Sequence, residues 1–142
     1  MSRRKLSHNL RNLVKSRARY TCEYCLAIAA YAFHPFPIDH IVPLAKGGND
    51  EPENLAYACQ FCNIRKYDKI QDIDPLTGQK TRLFNPRLDS WSDHFVWSKN
   101  DTVIVGSSAI GRTTISSLDM NRTEAINLRR ALRDFGVHPP DL

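Results

Sequence analysis

The chain has 142 residues, a length that suits one compact domain with at most a small appended lobe. It is 42% hydrophobic and 9% aromatic, which excludes a disordered polyelectrolyte. No stretch approaches the ~18 consecutive apolar residues of a membrane span. The formal net charge is +5, and Arg3, Arg4, Lys5, Arg11, Lys15, Arg17 and Arg19 all precede the first acid, Glu23. That crowding points to a polyanionic partner, because each neutralised phosphate releases bound counterions. A merely solvated basic face is the alternative. The basic N-terminus lacks the apolar run of a secretory signal, so the cytoplasm is the expected location.

Residues 1–8 read as a basic arm, and residues 9–19 as a helix. Leu10, Leu13, Val14 and the stem of Arg17 recur at helical spacing, with Asn9 as the N-cap. Residues 26–33 are apolar and Ala-rich, and suit a short helix or a strand. His34-Pro35-Phe36-Pro37 cannot be helical, since each proline pushes its predecessor to extended geometry. Residues 38–44 read as a strand, and 46–54 as a loop marked by Gly47-Gly48, Asn49-Asp50 and Pro52. Residues 55–58 form a second strand or extended segment, and 63–70 a helix.

Residues 75–86 are turn-rich and read as a linker or an extended lobe. Residues 95–97, 103–105 and 113–115 suggest three short strands separated by turns. A last helix is expected over residues 121–135, with Asn121 and Glu124 as a capping box and Gly136 as its stop. Ala125, Leu128, Leu132 and Phe135 make its apolar stripe, which leaves Arg129, Arg130 and Arg133 mostly outside.

All four cysteines fall into two Cys-x-x-Cys pairs, Cys22/Cys25 and Cys59/Cys62. In a reducing compartment this pattern favours a structural Zn²⁺ held by four thiolates over two disulfides. Between and just after the pairs lie Asp39-His40-Ile41-Val42-Pro43, Gly47-Gly48, Asn54-Leu55 and Asn63. Phosphodiester hydrolysis needs a nucleophile, charge neutralisation at phosphorus and help for the leaving oxygen, and a hard divalent ion supplies the last two. Asp39 and Asn63 offer such an ion one carboxylate and one amide oxygen. His40 can take a proton from water. Asn54 can hold the loop by bonding backbone or imidazole. Lys66 and Arg65, near the start of the following helix, are candidates for phosphate contact.

The set Cys22-Glu-Tyr-Cys25, Asp39-His-Ile-Val-Pro43, Gly47-Gly48, Asn54-Leu55 and Cys59-Gln-Phe-Cys62-Asn63-Ile-Arg-Lys66 resembles an HNH endonuclease of the ββα-metal superfamily, in its four-cysteine variant. The resemblance covers residues 16–70. It implies His40 as general base, Asp39 and Asn63 as ligands of a catalytic Mg²⁺, Mn²⁺ or similar ion, and Asn54 as support for His40. It also implies zinc on Cys22, Cys25, Cys59 and Cys62, and products with 3′-hydroxyl and 5′-phosphate ends. Asn63 stands where many members have histidine, and an amide oxygen suits Mg²⁺ better.

The expected fold is α+β: a small zinc-stabilised ββα core over 21–72, a basic arm and helix over 1–20, and a C-terminal extension over 73–142. The expected function is metal-dependent hydrolysis of DNA, with RNA also open and a membrane partner excluded. Arg11, Lys15 and Arg19 would contact the nucleic-acid backbone. The rival readings are a catalytically silent zinc module that binds nucleic acid, and a zinc-stabilised module that binds an acidic protein.

Overall fold

Short antiparallel hairpins alternate with helices along residues 6–142, the part of the chain described by the computed structural model. Helix α1 spans His8–Arg17 and is capped by Ser7, whose hydroxyl accepts from the Leu10 amide at 3.2 Å. The cap therefore falls two residues before the expected Asn9, and the helix stops before Arg19. Arg19 and Tyr20 both take left-handed backbone, which ends the helical ladder. Val14 is the buried anchor of α1, while Leu13 remains exposed. The expected arm residues Arg3, Arg4 and Lys5 lie outside the described residues.

Strand β1 (Ile38–His40) pairs antiparallel with β2 (Leu55–Tyr57), so that Asp39 faces Ala56 and His40 faces Leu55 in the register. The Ala-rich segment before them forms only a single 3-10 turn, Ala29–Tyr31. Helix α2 then covers Gln60–Lys66. It begins three residues earlier than expected because the Cys59 sulfur caps it, accepting from the Cys62 amide at 3.3 Å. One cysteine thus serves the knuckle and the helix start together.

The turn-rich stretch is a hairpin, β3 (Gln71–Ile73) with β4 (Lys80–Arg82). A single-turn helix α3 (Trp91–His94) leads into the hairpin of β5 (Phe95–Ser98) and β6 (Val103–Gly106). Residues 113–115, expected as a strand, lie inside helix α4, Ala109–Leu118. Their β-branched side chains are a weak preference, and it is overridden by a Ser108 cap on the Gly111 amide and by close packing. A methyl group on Gly111 would stand 2.0 Å from the His94 carbonyl oxygen, so glycine lets α4 approach α3.

Helix α5 runs Thr123–Phe135 and ends at Gly136 in left-handed geometry. Its expected cap, Asn121, is engaged elsewhere: its amide bonds both the N–H and the C=O of Ile104, each at 2.8 Å. Its expected face is also corrected. Arg129 is the buried residue, donating to the carbonyls of Thr102 and Met120 and to Asn121 Oδ1, whereas Leu128 and Phe135 are exposed. Clustered carbonyl acceptors make the buried guanidinium tolerable, and periodicity cannot reveal them.

One apolar core joins the ββα region to α1, α3, α4, β5 and β6. Tyr24, Leu55 and Tyr57 from the ββα region share it with Phe84, Phe95, Ile104 and Leu118. The Trp91 indole N–H donates to the Tyr24 carbonyl at 2.8 Å, and the Phe84 amide to Thr114 Oγ1 at 2.8 Å, so the C-terminal elements buttress the ββα unit. No helix among the described residues is long and apolar enough to cross a membrane.

Candidate functional site

Cys22, Cys25, Cys59 and Cys62 converge with all four sulfurs within 4.8 Å of one another, and all four residues are buried. Each knuckle bends an amide back to a sulfur: Cys25 N–H to Cys22 at 3.5 Å and Cys62 N–H to Cys59 at 3.3 Å. Among thiols alone the charges are unevenly shared. Hydrogen bonds from Cys22, Cys59 and Cys62 hold the Cys25 thiol well below its ordinary range. Burial pushes Cys22 well up, and hydrogen bonds to the neighbouring sulfurs do the same to Cys62. The donor set fits tetrahedral Zn²⁺, which would stabilise all four thiolates. Among the described residues this is the one cluster of three or more cysteine, histidine or carboxylate ligands close enough to share an ion.

Asp39 is 3% exposed and faces α2 and the first knuckle. The Tyr24 hydroxyl donates to its Oδ2 at 2.7 Å, and Lys66 Nζ lies 3.1 Å from Oδ2 and 3.3 Å from Oδ1. Burial raises the Asp39 carboxyl, while the Lys66 charge, the Tyr24 hydroxyl and His40 pull it back down. Oδ1 keeps only the longer Lys66 contact. Asn63 lies one helical turn before Lys66, on the same face of α2, and its side chain makes no hydrogen bond among the described residues. Asp39 and Asn63 are thus the carboxylate and amide on this side of α2, the oxygen donors a hard ion prefers.

Lys66 corrects an expectation. It sits in the last turn of α2 rather than the first, is 1% exposed, and donates to the His40 and Ile41 carbonyls as well as to Asp39. It is therefore withdrawn from nucleic-acid contact. Arg65 is exposed beside it but also stands at the wrong helix end for anion binding. Arg11 and Lys15 are half-buried on α1, and Arg19 is exposed just beyond it. Arg17 turns inward to donate to the Leu55 carbonyl at 2.8 Å.

His40 is 7% exposed, and its Nε2 lies 2.7 Å from Asp50 Oδ1. Asn54 bonds backbone rather than imidazole. Its Oδ1 accepts from the Val42 amide at 2.8 Å, and its Nδ2 donates to the carbonyls of Val42 at 2.9 Å and Asn49 at 2.8 Å. These bonds fold the β1–β2 connection onto itself so tightly that a methyl group on Gly48 would meet the Val42 carbonyl oxygen at 1.8 Å. Three features are not evident from the sequence: Tyr24 and Asp50 as partners of the site, and the inward role of Lys66. The one trace of Asp50 is its place in the Gly-Gly-Asn-Asp turn, and Tyr24 shows only as filler inside a Cys-x-x-Cys pair.

A hairpin and a helix are clasped by four buried thiols whose donor set fits zinc, and Asp39 and His40 stand on the strand beside them. The family model described as HNH endonuclease matches residues 22–69 of the chain. No curated protein and no solved structure matches the chain.

Proposed function

We propose that the protein is a metal-dependent endonuclease that hydrolyses DNA phosphodiester bonds. The observation that carries the reading is the pairing on β1 of Asp39, held against the α2 face that bears Asn63, with His40, held by Asp50. Asp39 and Asn63 would hold a Mg²⁺- or Mn²⁺-like ion. Such an ion supplies charge neutralisation at phosphorus and eases departure of the leaving oxygen. His40 accepts a proton from water as the water oxygen bonds to phosphorus. The P–O3′ bond breaks, and the departing 3′ oxygen is protonated by solvent. That direction of cleavage leaves 3′-hydroxyl and 5′-phosphate ends, as the family resemblance implies.

Tyr24 and Lys66 orient Asp39 and offset part of the rise that burial gives its carboxyl. Asn54 keeps the loop in place. Arg11, Lys15 and Arg19 would follow the DNA backbone with little regard for sequence. The test is cleavage of supercoiled, linear and single-stranded DNA with added Mg²⁺ or Mn²⁺. Metal-dependent nicks or breaks support the reading. Salt-sensitive binding with no cleavage under any of these conditions would favour the catalytically silent module instead.

A further inference from the structure

We propose that Asp50 is the positioning residue that holds the His40 imidazole with its hydrogen on Nε2 and leaves Nδ1 as the nitrogen that takes the proton from water. The proposal rests on the nuclease reading above. Asp50 Oδ1 stands 2.7 Å from Nε2. A carboxylate accepts hydrogen bonds and does not donate them, so the hydrogen in this bond belongs to Nε2. The neutral ring then has its lone pair on Nδ1 alone, and the nitrogen that acts as base is chosen by the partner of the other one.

The loop gives Asp50 the rigidity such a role needs. The carbonyl of Asn49, the residue before it, accepts from Asn54 Nδ2 at 2.8 Å. The amide of Glu51, the residue after it, donates to Asn49 Oδ1 at 3.0 Å. The backbone is thus pinned on both sides of Asp50, and Asn54 acts on His40 through that pinned turn without touching the ring. The side chains of His40 and Asp50 are 7% and 20% exposed, so water competes weakly for their bond. A merely structural bond would leave kcat unchanged when it is lost; the positioning role requires kcat to fall with the loss of the Nε2–H form.

The experiment is long-range ¹H–¹⁵N correlation of the ring nitrogens in the full zinc-loaded chain with labelled histidine, His40 being assigned by its loss in His40→Ala. The wild-type ring should carry its hydrogen on Nε2. Asp50→Ala should mix the two tautomers and lower kcat roughly 10- to 100-fold, with KM and zinc content unchanged. Asp50→Glu, which keeps an acceptor, should restore part of the Nε2–H form and of the rate. A wild-type ring protonated on Nδ1 would overturn the proposal, and that measurement needs no variant to fold. So would an Asp50→Ala protein with unaltered tautomer and kcat. A wild-type protein that cleaves nothing sinks the nuclease reading, while the tautomer still decides where Asp50 places the hydrogen.

Discussion

The Lys66 ammonium lies 3.1 Å from Asp39 Oδ2, and the two side chains are only 2% and 3% exposed. Its remaining hydrogens go to the carbonyls of His40 and Ile41. A lysine on the last turn of α2 therefore fixes the helix against the strand that carries both Asp39 and His40. Buried charge is tolerated here because every donor of the ammonium has an acceptor. The same contact offsets part of the upward push that burial gives the Asp39 carboxyl.

Replacing Lys66 by Met should leave the Asp39 charge uncompensated. Breaking a buried pair from one side costs about 3–5 kcal/mol, or a melting temperature lower by roughly 10 °C for a chain of this size. Thermal unfolding with zinc present measures it. An unchanged melting temperature would show that the pair contributes nothing to the fold.

One zinc per chain should co-purify and survive dialysis against Mg²⁺ buffer. Cys22→Ser or Cys59→Ser should lower thermal stability sharply, because a closed thiolate site contributes folding energy. Asp39→Ala and Asn63→Ala should weaken use of the added divalent ion yet keep the zinc. Elemental analysis decides, and loss of zinc from either of the last two variants would contradict separate sites.

Legibility in the sequence depends on range. The two knuckles and the order of β1, loop, β2 and α2 are readable, because each rests on residue type at short spacing. What the sequence hides is long-range. The Thr113-Thr114-Ile115 run reads as a strand until the Ser108 cap and the approach of Gly111 to α3 are seen. Arg129 reads as surface because nothing local shows that Thr102, Met120 and Asn121 surround it. Lys66 reads as a phosphate ligand because the cysteine cap at Cys59, which moves the helix start, follows only from the knuckle geometry. Asp50 and Tyr24 become visible only once the hairpin closes.

Acid should probe the C-terminal elements separately. Arg112 donates to both Asp74 oxygens, at 3.1 and 2.9 Å, and with help from the Leu76 amide and Thr77 hydroxyl holds the Asp74 carboxyl down to about 2. A depressed folded-state value means that its contribution is complete above the ordinary carboxylate range, near pH 4, and disappears as pH falls toward 2. Urea midpoints should therefore drop across that window in the wild type and drop less in Asp74→Asn. Parallel curves for the two proteins would remove Asp74 from the acid response.

Neutralising Arg11, Lys15 and Arg19 together should weaken DNA binding uniformly across sequences. The slope of log affinity against log salt should become shallower by about one for each phosphate that is no longer neutralised. Cleavage at saturating protein and low salt should change much less, since these residues lie outside the proposed metal site. An unchanged slope would reduce the cluster to a solvated face and move the footprint elsewhere, with Arg65, Arg130 and Arg133 as the exposed candidates.

The central claim is that His40 is the general base of a metal-dependent nuclease. The most direct measurement compares nicking of supercoiled plasmid by wild type and His40→Ala at saturating Mg²⁺ or Mn²⁺, with zinc content and DNA affinity followed in both. The wild type should cut only with the added ion, and His40→Ala should cut about 10²- to 10⁴-fold more slowly with zinc and affinity retained. A His40→Ala protein that nicks within a few-fold of wild type would contradict the account.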